Sequence, residues 1–301
     1  MVKITEPNFF CIGAAKSATT SLFDILKQHP LISTSSFKEP HFFDNSENYK
    51  KGKEWYLDSY FSNVEPTKAI GEFSPSYLSS PLSPKRILET FGPNIKLIVI
   101  LRNPIDRAYS HYLHTKRDEY ERFGFLDAAL NENDRLNKFN KTNDVISFSK
   151  FSYIYQGKYS LHINNYLDYF SLDQFHFVLF NDFINNREET IKQILSFLGV
   201  DNKHELDLNI HSNKSSVSRS RRLKQFFKND SIIKLIAKNM IPSLVFRQKI
   251  RNIIHALNNK AKAKAPLLST ERKLIYDKFF KQDIEKLEKT LNLNLNHWKE
   301  C

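Results

Sequence analysis

Four residue types at four places in this 301-residue chain could carry out group transfer on an anion. Lys16 lies in the loop Gly13-Ala14-Ala15-Lys16-Ser17-Ala18-Thr19-Thr20-Ser21, between an apolar run (Phe9 to Ile12) and a segment with helical spacing (Leu22, Phe23, Ile25, Leu26). A loop that opens a helix offers free backbone N–H groups, and the helix dipole favours an anion there. Lys16 adds a point charge, and Ser17, Thr19, Thr20 and Ser21 add hydroxyl donors. Glu39, in Lys38-Glu39-Pro40-His41-Phe42-Phe43-Asp44, is a carboxylate that could accept a proton, and His41 is a second candidate base. Arg102 ends the apolar run Ile95–Leu101, and Ser110 follows about two helical turns later. A guanidinium fork suits a phosphate.

Each feature alone has a plainer reading. The loop departs from the nucleotide-binding pattern Gly-x-x-x-x-Gly-Lys-Ser/Thr, because Ser17-Ala18 follow Lys16 and the second glycine is missing. It could be an ordinary strand-to-helix turn with a surface lysine. Arg102 could pair with nearby Asp106, and His41 could be a structural ring beside Phe42 and Phe43.

The elements that must position these residues alternate strand and helix over the first 200 residues, which predicts a parallel α/β sheet. Strands are expected at Asn8–Gly13, 69–72, Ile95–Leu101 and Phe175–Phe180. Helices are expected from Thr19 to Gln28, over Ser83–Phe91, after Pro104, over Leu161–Phe170 and over Arg187–Leu198. The polar stretch 131–150 reads as a mobile loop. Ser269–Leu291 reads as one last helix with Leu274, Ile275, Ile284, Leu287 and Leu291 on a shared face. In parallel sheets, ligands sit at the carboxyl ends of strands, where Lys16, Arg102 and Glu72 all arrive. The whole is expected to be one domain, 1–301, with an α/β core (1–204) and a basic loop with helical extension (205–301).

Composition bounds the rest. Two cysteines, Cys11 and Cys301, make no disulfide framework and fit a reducing compartment. Met1–Pro7 has no apolar leader core, and no window is apolar enough to span a bilayer, so a cytoplasmic protein is expected. The net charge is +12, and residues 201–301 hold 22 Lys and Arg against 10 Asp and Glu, which accounts for all of it. This basic third is read as a solvated face rather than a nucleic-acid surface. Peripheral contact with an anionic membrane through Ser231–Leu257 stays open.

Taken together, the segments resemble the sulfotransferases that use 3′-phosphoadenosine 5′-phosphosulfate (PAPS). The Gly13–Leu22 loop is similar to their 5′-phosphosulfate loop, and Ile100-Leu101-Arg102-Asn103-Pro104 through Tyr112 to their 3′-phosphate motif. Lys38–Asp44 and Gly71-Glu72-Phe73-Ser74-Pro75-Ser76-Tyr77 resemble the heparan-sulfate N- and 3-O-sulfotransferase group. Gly157-Lys158-Tyr159, Ser218–Arg222 and Trp298 look like bacterial members of it. The resemblance implies a P-loop-type sheet flanked by helices and sulfuryl transfer to a carbohydrate or glycolipid hydroxyl, less readily to an amine. It implies release of adenosine 3′,5′-bisphosphate and no metal requirement. It assigns the 5′-phosphate to residues Lys16 to Ser21, leaving-group stabilisation to Lys16, the base to Glu39 and the 3′-phosphate to Arg102 and Ser110. Tyr159 would lie near the adenine, and Arg219 or Arg221 would close over the 3′-phosphate.

Three positions depart from the pattern. Phe73 stands where the heparan-sulfate group has lysine, Ser21 where cytosolic sulfotransferases have tryptophan, and Ala18 at a usual glycine. Two other classes remain open on the residues alone: a P-loop kinase, and a basic polyanion- or membrane-binding protein.

Overall fold

The computed structural model describes residues 5–141, 145–210, 216–218, 259–261 and 266–300. Its centre is a sheet of five short strands: β1 (Phe9–Gly13), β2 (Ile32–Thr34), β3 (Ala69–Phe73), β4 (Lys96–Leu101) and β5 (Phe175–Leu179). All pair in parallel, in the order β2-β3-β1-β4-β5. Strand order reverses direction between β1 and β4, so the crevice of the sheet opens at their carboxyl ends.

The parallel sheet is buried on both faces, which explains the continuous apolar character of β4. Side-chain parity divides the core. Phe10, Ile12, Ile70, Leu97, Val99 and Leu101 pack on one side, and Phe9, Cys11, Ala69, Phe73, Ile98 and Ile100 on the other. The second side is covered by α1 (Thr19–Leu26) and by a helix near the end of the α/β part, Arg187–Leu198.

Between these, the helices in chain order are α2 (Ser46–Tyr49), α3 (Gly52–Tyr60), α4 (Ser83–Phe91) and α5 (Pro104–Arg117). Then come α6 (Phe125–Leu130), α7 (Glu132–Lys141), α8 (Val145–Phe151), α9 (Tyr159–Leu167), α10 (Phe180–Asn185) and α11, the Arg187–Leu198 helix. Near the end of the chain, α12 (Ser269–Ile275) and α13 (Lys281–Leu291) are joined by a π-helical turn at Tyr276–Phe280.

Two expectations are corrected. The polar stretch 131–150 carries α7 and α8 rather than only loop, because its few anchors are buried. The Glu132 carboxylate accepts the Ile154 and Tyr155 amides, each at 2.7 Å, and Leu136 sits in the core. The last helix is not one uninterrupted α-helix. The π turn shifts its phase, so Ile275, Phe280, Ile284 and Leu287 are buried while Leu274 is exposed.

The chain divides into two compact units: Met1–Ser212 together with Leu267–Cys301, and Asn213–Pro266. In the second, the described residues form an antiparallel pair, β6 (Ser216–Ser218) with β7 (Asn259–Ala261), Val217 opposite Lys260. Arg219, Arg221 and the 231–257 segment lie outside the described residues. Among the described residues no helix is long and apolar enough to cross a membrane.

Candidate active site

The loop after β1 is tightly turned. Lys16 and Ala18 both take positive φ, 71° and 61°. The Ser17 amide closes on the Ala14 carbonyl at 3.2 Å, and Ala18 is the residue that enters α1. Thr19 and Thr20 open α1 ahead of the bond from the Leu22 amide to the Ala18 carbonyl at 3.1 Å, and the amides that open a helix are the ones left over for a ligand. The Ser17 hydroxyl is buried with no hydrogen-bond partner. A buried hydroxyl without a partner costs about 1–3 kcal/mol, and an anion among the amides beside it would supply the missing acceptor.

Arg102 leaves the end of β4 and reaches across the crevice. Its Nη1 donates to the Lys16 carbonyl at 2.9 Å, and its guanidinium lies 4.6 Å from the centre of the Phe180 ring. Asp106 bonds to Arg272, so the simple Arg102–Asp106 pair is not the arrangement seen. Ser110 lies half-buried on α5, two turns from the strand end. Tyr159, wholly buried at the start of α9, donates its hydroxyl to the Arg102 carbonyl at 2.9 Å. It supports Arg102 from behind and offers no open ring face.

The third wall is the 38–44 segment, beside the end of β3. The Glu39 amide donates to the Phe73 carbonyl at 3.0 Å, and Glu39 and His41 both have positive φ. The Glu39 side chain is 45% exposed. Lys38 is not: at 13% exposure its Nζ donates to Thr20 Oγ1 at 2.8 Å and lies 3.6 Å from Glu39 Oε1. His41 Nδ1 meets Asp44 Oδ2 at 3.0 Å, and Ser76 Oγ donates to the same oxygen at 2.6 Å.

Electrostatics follow from this crowding. Burial, and then the Arg117 guanidinium, push the Lys16 ammonium down to about 8, against the pull of Glu39 and Asp118. Burial opposes charge on His41, but the hydrogen bond and charge of Asp44, with Glu39 and Glu72 beyond, hold it up at about 8. Glu72 faces inward from β3. Burial raises it to about 7, although Ser74 and Tyr56 each donate to its carboxylate at 2.5 Å. Phe73 points to the opposite side, edge-on to Phe9 and Phe23 in the core.

The structure thus brings Lys16, Ser17, Ala18, Thr19, Thr20, Arg102 and Glu39 to one crevice. Lys38 was not singled out from sequence. The available signal was its place directly before Glu39, but its link to Thr20 crosses 18 positions.

The site is thus built on a mononucleotide-type parallel sheet, with a lysine loop after β1 and an arginine after β4. The chain matches the sulfotransferase domain family over residues 6–262 and belongs to it. It is 33% identical to the mouse heparan sulfate glucosamine 3-O-sulfotransferase 5 over 176 residues, 57% of this chain and 47% of the relative. It is 32% identical to the mouse bifunctional heparan sulfate N-deacetylase/N-sulfotransferase 4 over 206 residues, 64% of this chain and 22% of the relative. The chain therefore spans about half, or less, of the length of these relatives. The fold is shared with a sulfotransferase from Alicyclobacillus acidocaldarius, with TM-score 0.70 and 24% identity over 98% of this chain and 100% of that one.

Proposed function

We propose that this chain transfers a sulfuryl group from PAPS to a hydroxyl of a carbohydrate acceptor. The observation that carries the reading is the Arg102–Lys16 contact at the sheet's switch point, with Glu39 facing the same loop. Two cations and the opening amides of α1 around one loop suit a doubly phosphorylated nucleotide, and the half-exposed Glu39 carboxylate beside Lys38 supports a proton acceptor there. When bound, the donor supplies the activated sulfuryl group. The acceptor oxygen attacks sulfur in line, the bond from sulfur to the bridging phosphate oxygen breaks, and the acceptor proton passes to Glu39.

In this reading the Ser17 hydroxyl and the amides of residues 16–20 bind the 5′-phosphate. Lys16 neutralises charge on the bridging oxygen as it leaves. Arg102, braced by Tyr159, and Ser110 hold the 3′-phosphate. His41 is the weaker base, because a ring that keeps its proton to about pH 8 has none to gain at neutrality. The likeness to heparan sulfate enzymes supports a saccharide hydroxyl as the acceptor, with an amine as the second choice. A glycolipid acceptor and cytoplasmic residence belong to the same reading.

A kinase is disfavoured by one residue: Arg102 occupies the strand end where a magnesium-binding carboxylate would serve ATP. Thermal denaturation tests the donor class. Adenosine 3′,5′-bisphosphate should raise the melting temperature, and ATP with Mg²⁺ should not. No shift with millimolar bisphosphate would overturn the reading. Mass spectrometry of an unsulfated heparan backbone after incubation with PAPS then reads transfer. Glu39→Gln should lose roughly 10²–10⁴-fold in turnover while still binding the bisphosphate.

A further inference from the structure

Lys38 sits where the candidate donor loop meets the candidate base. Its ammonium is almost buried, 2.8 Å from Thr20 Oγ1, 3.4 Å from Thr19 Oγ1 and 3.6 Å from Glu39 Oε1. We propose that Lys38 is a positioning residue that locks the donor-binding hydroxyl of Thr20 and the carboxylate of Glu39 into one unit, so that a bound donor and the base stand in register. The proposal rests on the sulfuryl-transfer reading above.

Hydrogen-bond counting gives Lys38 a specific task. A threonine hydroxyl has one proton and two lone pairs. The Lys38 N–H occupies a lone pair of Thr20, so the Thr20 proton points elsewhere and stays available to an anion at the start of α1. The same ammonium stands within ion-pair range of Glu39, at 3.6 Å. It draws the half-exposed carboxylate toward Thr20, and a carboxylate with several lone pairs keeps one for the acceptor proton. The backbone closes the unit on the other side, where the Glu39 amide is held by the Phe73 carbonyl of β3. Cation and carboxylate come from the 38–44 segment and the hydroxyl from α1, and Lys38 touches both partners. Phe73, buried in the opposite core, brings no charge to this place.

The test is a kinetic split in the full chain with PAPS and the saccharide acceptor. Lys38→Met should lower kcat by roughly 10–100-fold, as expected for a misplaced base. Bisphosphate affinity, read by calorimetry, should fall by less than about tenfold. Thr20→Val should lower both bisphosphate affinity and kcat, because it frees Lys38 as well as removing a donor. The double variant should lose less than the two losses combined. If Lys38→Met keeps kcat within about twofold of the parent, the proposal is overturned. If Lys38→Met fails to fold, Thr20→Val decides: a loss of affinity with unchanged kcat overturns it, and a loss of both supports it. Parent protein that neither binds bisphosphate nor transfers sulfate refutes the donor reading instead, which separates the two failures.

Discussion

The Arg102 guanidinium donates to the backbone carbonyl of Lys16 across 2.9 Å, joining the ends of β4 and β1 on the two sides of the sheet's switch point. One guanidinium N–H is spent on this bond and the plane rests near Phe180, which leaves the rest of the fork for a ligand. The same residue therefore holds the loop's shape and, in the proposed function, a phosphate.

These two tasks separate by ligand. Arg102→Ala should weaken adenosine 3′,5′-bisphosphate by at least about tenfold, or about 1.4 kcal/mol. Adenosine 5′-monophosphate, which lacks the 3′ group, should weaken much less. Arg102→Lys should recover only part, since an ammonium cannot bond the carbonyl and a phosphate through one planar fork. Calorimetry with both nucleotides checks this. An equal loss for the two would confine Arg102 to bracing Lys16.

Ala18 carries a cost that a single methyl explains. At φ 61° its Cβ is strained against the backbone, by about 1 kcal/mol, whereas glycine takes that conformation freely. Ala18→Gly should leave the loop fold unchanged and stabilise the protein by up to about 1 kcal/mol, less the entropy glycine loses on folding. Differential scanning calorimetry should show a melting temperature equal to or above the parent. A clear fall would mean that the methyl makes packing contacts worth more than the strain.

What could be read from sequence divides along a physical line. β4 was legible because a strand buried on both faces must be apolar throughout, and Pro104 marks the turn into α5. The three-residue β2 carries too little pattern to read, being Ile32-Ser33-Thr34. The polar α7 was missed because its burial rests on isolated tertiary contacts: the Glu132 carboxylate on two amides, and Arg135 with Glu121 at 2.9 Å. Lys16 and Arg102 were legible as loop and strand-end residues, because the crevice position follows from topology. Lys38 was not, because its meaning lies in a hydroxyl brought close only by folding. Glu72 lies between: strand parity places it on the face of Ile70, but only the structure supplies Tyr56 and Ser74.

Glu72 makes stability depend on pH with a definite sign. Its carboxyl titrates near 7 in the fold against an ordinary 4.5, so the folded state holds a proton that the unfolded state has lost between those values. Stability from this group is present below about 4.5 and is lost as pH rises toward 7. Glu132, also raised to about 7 by burial against its amide hydrogen bonds, acts in the same direction. His162, lowered by burial to about 4, acts oppositely. The comparison of variants therefore carries the test. Glu72→Gln, which mimics the protonated acid, should match the parent near pH 5 and gain on it by pH 8, by on the order of 1–3 kcal/mol. Urea denaturation at the two pH values measures the difference. A constant gap at both would show that the ionisation of Glu72 does not drive the effect.

Lys16 should set the alkaline limit of catalysis. Its ammonium, pushed to about 8 by burial and the Arg117 charge, is lost from the free protein as pH rises past that value, and with it the point charge of the anion loop. The pH profile of kcat/KM for PAPS reports groups of the free enzyme, so it should fall above about pH 8. Bound phosphosulfate favours the charged amine, so the matching limb of kcat should lie at higher pH. Lys16→Arg keeps a charge that does not titrate in this range. It should flatten the alkaline limb of kcat/KM even if its lower maximum reflects a poorer fit at the bridging oxygen. Lys16→Met should abolish transfer. An alkaline limb unchanged in Lys16→Arg would assign it to another group, and Lys16 would then act in the loop by position rather than by its proton.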